Sequence, residues 1–589
     1  MNFQISFKNN AFSLLEIVIV IFLLGFVGSL ILISSININQ TLIKARIIYQ
    51  INLVLKDEFE KLRVMDYEKI GILNGWPPGI IPSTTIVNKS GLNIKLNFYI
   101  RNIDNPKDGT ITSTPKDTAP ADYKLVEITG ECLNCFYKVK PQKLTGFIAP
   151  KTVESESGNG SMFIKVINSK GEPVSEANVK IEYLGNPAFI QTDITGIDGF
   201  FRFIDIPTGT NAYFIEVSKN GYSSDRTYPL NDENNPNPII PHQTVESGGL
   251  TTVTFKIDKL SDIYLNFYDK YCKTLSDVDF QLKGEKLIGQ NPDVFKTIII
   301  DKSDSYGKKN LKIEWDNYFF SLIDEKYILK GIRPYIDSRI FIEPNKSYSF
   351  DLILASSSPI NLLVTVLDQN KNYISDADVN ITINNNSFIK KTSSEEESFS
   401  NWINNFSSRS DNLEINESEV KLYFTDQNLY VTSTEWLISK TIDFGTSTSL
   451  VYKNFSWQGE KPSNTSLKFQ VSANNDNTTW DFIGPDGASN TFFETTSFLL
   501  PDSLKNKRYF RFKVYLKSED GQNTPVLEKI KISYRSFCIP EGQVLFQNLN
   551  PGTYLINVSK NGFLSTSTEI QLQSEDVFKE IKIILNPQQ

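Results

Sequence analysis

Three residues near the start of the chain have the types and order for a processing and assembly reaction. Ala11, a small residue, closes the polar stretch MNFQISFKNNA, Phe12 opens an apolar run, and Glu16 sets a single carboxylate at the fifth position from Phe12. The bond between Ala11 and Phe12 is a cleavage candidate, and cutting there keeps the apolar segment, whereas a secretory signal peptide is cut after its apolar stretch. A carboxylate in hydrocarbon costs about 2.5–3.5 kcal/mol at a helix centre unless it stays at the interface or meets a cation. Glu16 therefore implies a partner.

Other chemistry-bearing residues are sparse. Cys132 and Cys135 form CLNC in a hairpin-like turn, half of a zinc ribbon with no second pair, which favours a local disulfide or a free pair over metal. Cys272 and Cys538 stand alone among β patterns and read as buried small hydrophobes. His242 is the only imidazole and lies in the loop-type stretch NDENNPNPIIPHQT, so a multi-His metal centre is excluded and a Ser/His/Asp triad could rest only on that loop. Among 68 acids no carboxylate pair stands out by spacing, and the expectation is a non-enzyme with no catalytic residues. Asp104 and Asp108, in NIDNPKDGT, are candidate calcium ligands that serve equally as turn formers. Trp480 and Phe482 beside Asp486 are a candidate sugar-stacking group, set against the alternative that these aromatics fill a core. No basic block suggests nucleic acid, and a net charge of −8 over 589 residues reads as solubility.

The element that must carry the first three residues is a helix. Ile17 to Ile33 is seventeen residues without a charge, about 25 Å of helix, enough to cross a bilayer. Ile43, Ile47, Ile51, Val54, Leu55, Phe59 and Leu62 then recur mostly at steps of three and four, which predicts that the helix continues to about Val64 as an amphipathic one, roughly 80 Å in all. WPPG (Trp76–Gly79) breaks the pattern, and alternating segments at Leu92–Ile100, Tyr123–Ile128 and Phe136–Val139 predict a small antiparallel sheet covering the apolar stripe.

The order of polar leader, small residue, Phe and acid resembles the class III signal of type IV prepilins and type II secretion pseudopilins. The resemblance implies cleavage between Ala11 and Phe12 by a prepilin peptidase, methylation of the new amine, and pairing of Glu16 with the N-terminal amine of a neighbouring subunit. Where that family usually has Gly, this chain has Ala11.

Beyond a flexible linker expected at Glu154–Ser161, the chain repeats itself. DGFFRFIDIPTGTNAYFIEVSKNGY (Asp198–Tyr222) matches EGQVLFQNLNPGTYLINVSKNGF (Glu541–Phe563), with Phe203 and Phe546 equivalent and VSKNG identical; VINSKGEPVSEANVKI matches VLDQNKNYISDADVNI upstream. Val179 and Gly199 are 20 residues apart but Val379 and Gly542 are 163 apart, so the second copy holds about 143 extra residues, an inserted domain. The repeats resemble carboxypeptidase regulatory-like, transthyretin-like sandwiches, which implies rigid β spacers and no peptidase activity. The insertion carries Trp402, Trp436, Trp457 and Trp480 and resembles jelly-roll modules of the discoidin or laminin-G-like type.

The expected fold is mainly β: a leader (1–11), a transmembrane or filament-core helix (12–64), a pilin-like β head (65–153), a carboxypeptidase regulatory-like sandwich (162–259), a divergent sandwich (260–356), and a second regulatory-like sandwich (357–391 with 538–589) split by a jelly-roll (392–537). The expected function is a minor type IV pilin-like subunit, at the tip or sparse in the shaft because so large a head would crowd a filament lattice. It would be a single-pass membrane protein before assembly, with prepilin peptidase, other pilins, the assembly machinery and the membrane as partners, surface glycans as ligands, and no cofactor beyond calcium. A type II secretion pseudopilin and a membrane-anchored carbohydrate-binding protein outside any filament are the alternatives.

Overall fold

The protein is described here by a computed structural model covering residues 14–151, 156–323, 325–334 and 339–588, the side chains of Leu15 and Glu16 excepted. It falls into two compact units, one up to Lys259 with Leu287–Val294, the other Leu260–Lys286 with Phe295–Gln589.

The first unit begins with a single helix, Leu14–Val64. Apolar side chains from Ile17 to Ile43 stand exposed around it, while Ile47, Ile51, Val54, Leu55 and Leu62 are buried. That stripe lies on a four-stranded antiparallel sheet of Thr84–Lys89, Leu92–Ile103, Tyr123–Cys132 and Gln142–Ile148. Two glycines let the helix approach: a Cβ on Gly130 would stand 2.7 Å from Ile51, and one on Gly146 2.2 Å from the Phe59 ring. The strand expected at Phe136–Val139 does not form. Cys132 and Cys135 are joined as a disulfide, and the tight turn it closes throws Phe136 outward, 89% exposed.

The described part of the linker expected at Glu154–Ser161, residues 156–161, is tied to the sandwich that follows. Ser157 and Asn159 both hydrogen-bond to the Asp205 carboxylate, and a strand already begins at Gly160, where a Cβ would sit 2.3 Å from the Glu246 carbonyl. Head and sandwich meet directly. Trp76 Nε1 donates to the Asp205 carbonyl at 2.8 Å and its ring stacks on Phe189 at 5.5 Å, while Arg101 pairs with Asp193 at 3.0 Å.

One sandwich topology occurs three times. In the first unit, Gly160–Ile167 runs parallel to Leu250–Lys256 and antiparallel to Phe200–Ile206, against a sheet in which Asn178–Tyr183 pairs with Phe189–Ile194 and Gly209–Ser218. In the second unit, Ser261–Tyr268 and Asn361–Asp368 play the first strand's part, each parallel to the last strand of its sandwich, Ser347–Ser356 and Phe578–Leu585. A buried hydroxyl marks all three. Thr195 Oγ1 donates to the Val174 carbonyl and accepts from Ala177 N, Thr392 does the same to Ile374 and Ala377, and Ser303 to Leu275 and Val278. VSKNG has a structural use as well. Lys219 and Lys560 each reach back to a carbonyl of the turn before the second strand, Ser175 at 2.7 Å and Asp376 at 3.2 Å, and Gly221 and Gly562 sit at φ of +77° and +85°.

Between Asn386–Lys391 and Gln543–Phe546 the third sandwich is interrupted by two facing antiparallel sheets whose core includes Trp402, Phe455, Phe469, Phe512 and Tyr534. Cys272 and Cys538 are not independent buried hydrophobes. They form a disulfide across 266 residues, tying a turn of the middle sandwich to the point where the chain leaves the insertion. Their neighbours dock with them: Arg333 donates to the Phe537 carbonyl and stacks 3.2 Å from its ring, while Lys270 and Tyr271 both bond Glu397 Oε1, at 2.6 and 2.8 Å. Beside them buried Lys330 pairs with half-buried Glu395 at 2.6 Å. Burial opposes the charge on Glu395, but Lys330, Lys390 and Lys270 outweigh it and hold the carboxyl below its ordinary range.

Ile51→Ala, which empties the centre of the helix–sheet contact, should cost about 2–5 kcal/mol. Amide exchange should speed across Leu92–Cys132 and stay unchanged in Asn361–Asp368; equal exchange in the variant and the wild type would mean that the stripe is not the core. Replacing Cys272 and Cys538 by Ser should destabilise the joined sandwiches by about 2–4 kcal/mol, the usual range for a bridge closing a long loop. A calorimetric scan should show an earlier transition, and an unchanged scan would mean that the bridge does not stabilise the fold.

Candidate functional site

Three places on the chain carry the residues singled out from sequence. The first is the helix. Ala11 and Phe12 lie outside the described residues; Glu16 lies on the helix's first turns, its side chain outside them also. From Ile17 on, this is one helix long and apolar enough to cross a membrane, its most apolar stretch not buried. A surface of that kind requires lipid or other apolar helices around it.

The second place is the loop between the strands Leu92–Ile103 and Tyr123–Cys132. It brings Asp104 together with Asp117 and Asp122, one carboxylate oxygen of each lying within 4.8 Å of the others. Asp108, paired with Asp104 in the sequence reading, is instead exposed at the turn. The loop's return, which residue spacing does not reveal, supplies the other two acids. Backbone amides fix the outer oxygens: Ile111 N donates to Asp104 Oδ2 at 2.8 Å, Ala119 N to Asp117 Oδ1 at 2.9 Å, and Asn105 N to Asp122 Oδ2. Asp104 Oδ1 and Asp117 Oδ2 are left buried with no hydrogen-bond donor. Burial, then the charges of Asp117 and Asp108, push the Asp104 carboxyl above its ordinary range, against the pull of the Ile111 amide. Converging hard oxygens with unsatisfied lone pairs suit a calcium ion, whose charge would offset their mutual repulsion.

The third place is the inserted domain. Trp402 and Trp457 are core residues, 0% and 5% exposed, with Nε1 donating to the Glu528 and Thr495 carbonyls. Trp436 and Trp480 are half-buried on the outside. Trp480 carries the Arg511 guanidinium 4.3 Å over its ring. Asp486 does not join it: the carboxylate accepts from Thr491 Oγ1 and from Ala488 N, which hold it below its ordinary range and engage it in its own turn. Phe482 is half-buried next to the Val471–Ile483 bridge. The outward cations Arg511 and Lys513 escaped the sequence reading, although the strict alternation of RYFRFKVYLK assigns them to one face. His242 Nδ1 lies 3.0 Å from Thr227 Oγ1, the ring edge-on to Phe214, and burial lowers the imidazole's affinity for a proton.

No protein-family model matches the chain, and no curated protein matches it. Among solved structures it is similar to the TIE protein of Bacillus anthracis, at 10% identity over 86% of this chain and 73% of that one, with a TM-score of 0.15. A streptococcal ancillary pilin shares 8% identity over 73% of this chain and 99% of its own, TM-score 0.14. The major pilin subunit of Bacillus cereus shares 9% over 56% of this chain and 100% of its own, TM-score 0.19. At such TM-scores these likenesses do not bear on what this chain does.

The acidic loop yields a test with a definite sign. A folded-state carboxyl with a raised pKa favours folding at pH below its unfolded value, and that contribution falls away as pH rises through the raised one. Without divalent ions, wild-type protein should therefore lose stability relative to Asp104→Asn as pH is raised from 4 towards neutrality. Calcium at a hundredfold excess over its Kd should restore about 2.7 kcal/mol to the wild type alone. A melting temperature indifferent to calcium in both proteins would exclude an ion from this loop.

Proposed function

We propose that the chain is a minor type IV pilin-like subunit. It is held in the cytoplasmic membrane by its N-terminal helix, released by a prepilin peptidase cutting between Ala11 and Phe12, and built into a filament among other pilin subunits. Its β modules are carried outside for adhesion or surface contact. The observation that supports this best is the division of a single 51-residue helix, Leu14–Val64. Its first half offers apolar side chains on every side, and its second half buries one stripe against its own sheet. Anchoring alone needs about 20 apolar residues and no rigid extension. A continuous helix docked on a compact head fits a subunit that leaves the bilayer to pack against other helices.

Glu16 has the assembly role in this reading: its carboxylate would pair with the amine freed at Phe12 of a neighbouring subunit. The leader-flanked helix is shared with type II secretion pseudopilins, and the large β extension favours display at the end of a filament over a periplasmic piston. The chemistry is binding and assembly, with no catalytic step assigned to any residue.

Filaments sheared from cells and analysed by mass spectrometry should yield a peptide beginning with N-methylated Phe12. Glu16→Gln should insert in the membrane at the wild-type level and yet be depleted in filaments about tenfold or more, since one buried ion pair broken on one side costs about 3–5 kcal/mol. A leader retained on the filament-borne chain, or a Glu16→Gln variant that assembles like wild type, would overturn the reading.

A further inference from the structure

The strand Tyr509–Ser518 lies between Glu435–Ser439 and Thr465–Asn474, and its odd-numbered residues face outward. Register places Trp436, Tyr515 and Lys468 side by side across this sheet, with Ile438, Lys513 and Gln470 in the next row. Lys513 Nζ stands 4.6 Å from the Trp436 ring and 4.8 Å from that of Tyr515, and Arg511 covers Trp480 at 4.3 Å. The face therefore joins half-buried aromatic rings to cations on a protein whose net charge is −8.

Two features mark this face as more than solvated surface. Its cations are uncompensated: among the described residues, Arg511 bonds only the Thr441 hydroxyl, at 2.9 Å, and Lys513 only the two rings, whereas nearby Lys468 and Lys517 pair with Glu494 and Glu519. Its rings are held in place: Tyr515 donates to Gln470 Oε1 at 2.9 Å, Gln470 Nε2 donates in turn to the Ser489 and Thr491 carbonyls, and Phe492 packs edge-on against Tyr515 at 5.1 Å. Groups fixed before a ligand arrives lose little entropy on binding it.

We propose that this face binds an acid-bearing glycan, with Arg511 and Lys513, each held over an aromatic ring, receiving its carboxylate or sulfate groups. The inference rests on the reading of the insertion as the displayed, surface-contacting part of the chain. A planar guanidinium and an ammonium on alternate residues of one strand, with backbone positions about 7 Å apart, suit charges spaced along a saccharide. A neutral glycan would leave both cations without a counterpart. A nucleic acid is disfavoured by the same count: tracking a phosphate backbone takes a row of cations, and here the row ends in Lys468 and Lys517, each already neutralised by its own glutamate.

The test uses the full-length chain in detergent, so that it does not depend on filament assembly and its failure is separable from that of the Glu16 experiment. Probes are oligogalacturonate, its fully methyl-esterified form, dextran sulfate, dextran and a twenty-base oligothymidylate, with affinity read by titration calorimetry or biolayer interferometry. Oligogalacturonate or dextran sulfate should bind, more weakly as salt rises, and the uncharged counterpart of whichever binds should be about tenfold weaker or worse, a difference of about 1.4 kcal/mol. Arg511→Ala with Lys513→Ala should lose that binding, while Lys461→Ala, at an exposed lysine in the turn before Thr465–Asn474, should keep it. Equal binding of charged and uncharged sugars, tighter binding of the oligothymidylate, or no binding of any probe would each overturn the proposal.

Discussion

A helix with apolar side chains all round cannot remain bare in water, and one with an apolar stripe needs only a single covering surface. The Leu14–Val64 helix meets both conditions in turn, and the order of the two halves constrains everything downstream. Around Ile17–Ile43 the only adequate neighbours are lipid or other helices, because among the described residues no part of the first unit covers that segment. From Ile47 onward the chain supplies its own cover, and the cost of bringing a sheet so close is met by omitting side chains at Gly130 and Gly146. Each aliphatic side chain buried there is worth about 1.5–3 kcal/mol. The contact can thus hold the head on the helix while the other half of the same helix changes its surroundings.

Within each unit the sandwiches meet one local problem by repeating one solution. The turn before the second strand carries polar backbone that the sheet cannot satisfy, and each sandwich satisfies it with one buried hydroxyl, Thr195, Ser303 or Thr392. In the two closest copies a lysine of VSKNG adds a second tie from the neighbouring strand. Such buried bonds matter chiefly through what their loss would strand, an unpaired carbonyl and amide in an apolar core.

Much of this was legible in the chain. The helix and most of its stripe follow from spacing; Ile43 is the exception, 41% exposed, because it lies a turn beyond the sheet's reach. The matched IPTGT and NPGT turns and VSKNG fall on equivalent strands because period-2 alternation and punctuating Gly and Pro are local signals. What escaped is what depends on closure in space. Nothing local pairs Cys272 with Cys538, 266 residues away, and nothing local brings Asp117 and Asp122 to Asp104. The Trp residues divide between core and surface by strand parity: Trp457 alternates inward with Phe455, whereas Trp436 stands opposite outward Tyr515. Residue type alone is silent on that choice.

The base of the insertion shows why an interrupted sandwich remains sound. Two chain crossings at one point would ordinarily hinge, since connections between modules are where few contacts hold. Here one crossing is bonded covalently through Cys538, and the other begins with Glu395 and Glu397, which enter a cluster with Lys330, Lys390 and Lys270. A buried ion pair contributes little net stability over an apolar pair, because desolvation consumes most of the attraction, but it is unforgiving of misalignment: separating the partners leaves each charge in a poor solvent. The cluster therefore acts on orientation more than on stability. It ties the inserted sheets to the middle sandwich, which carries Lys270, Lys330 and Cys272, and the aromatic and cationic face keeps a constant direction relative to that sandwich.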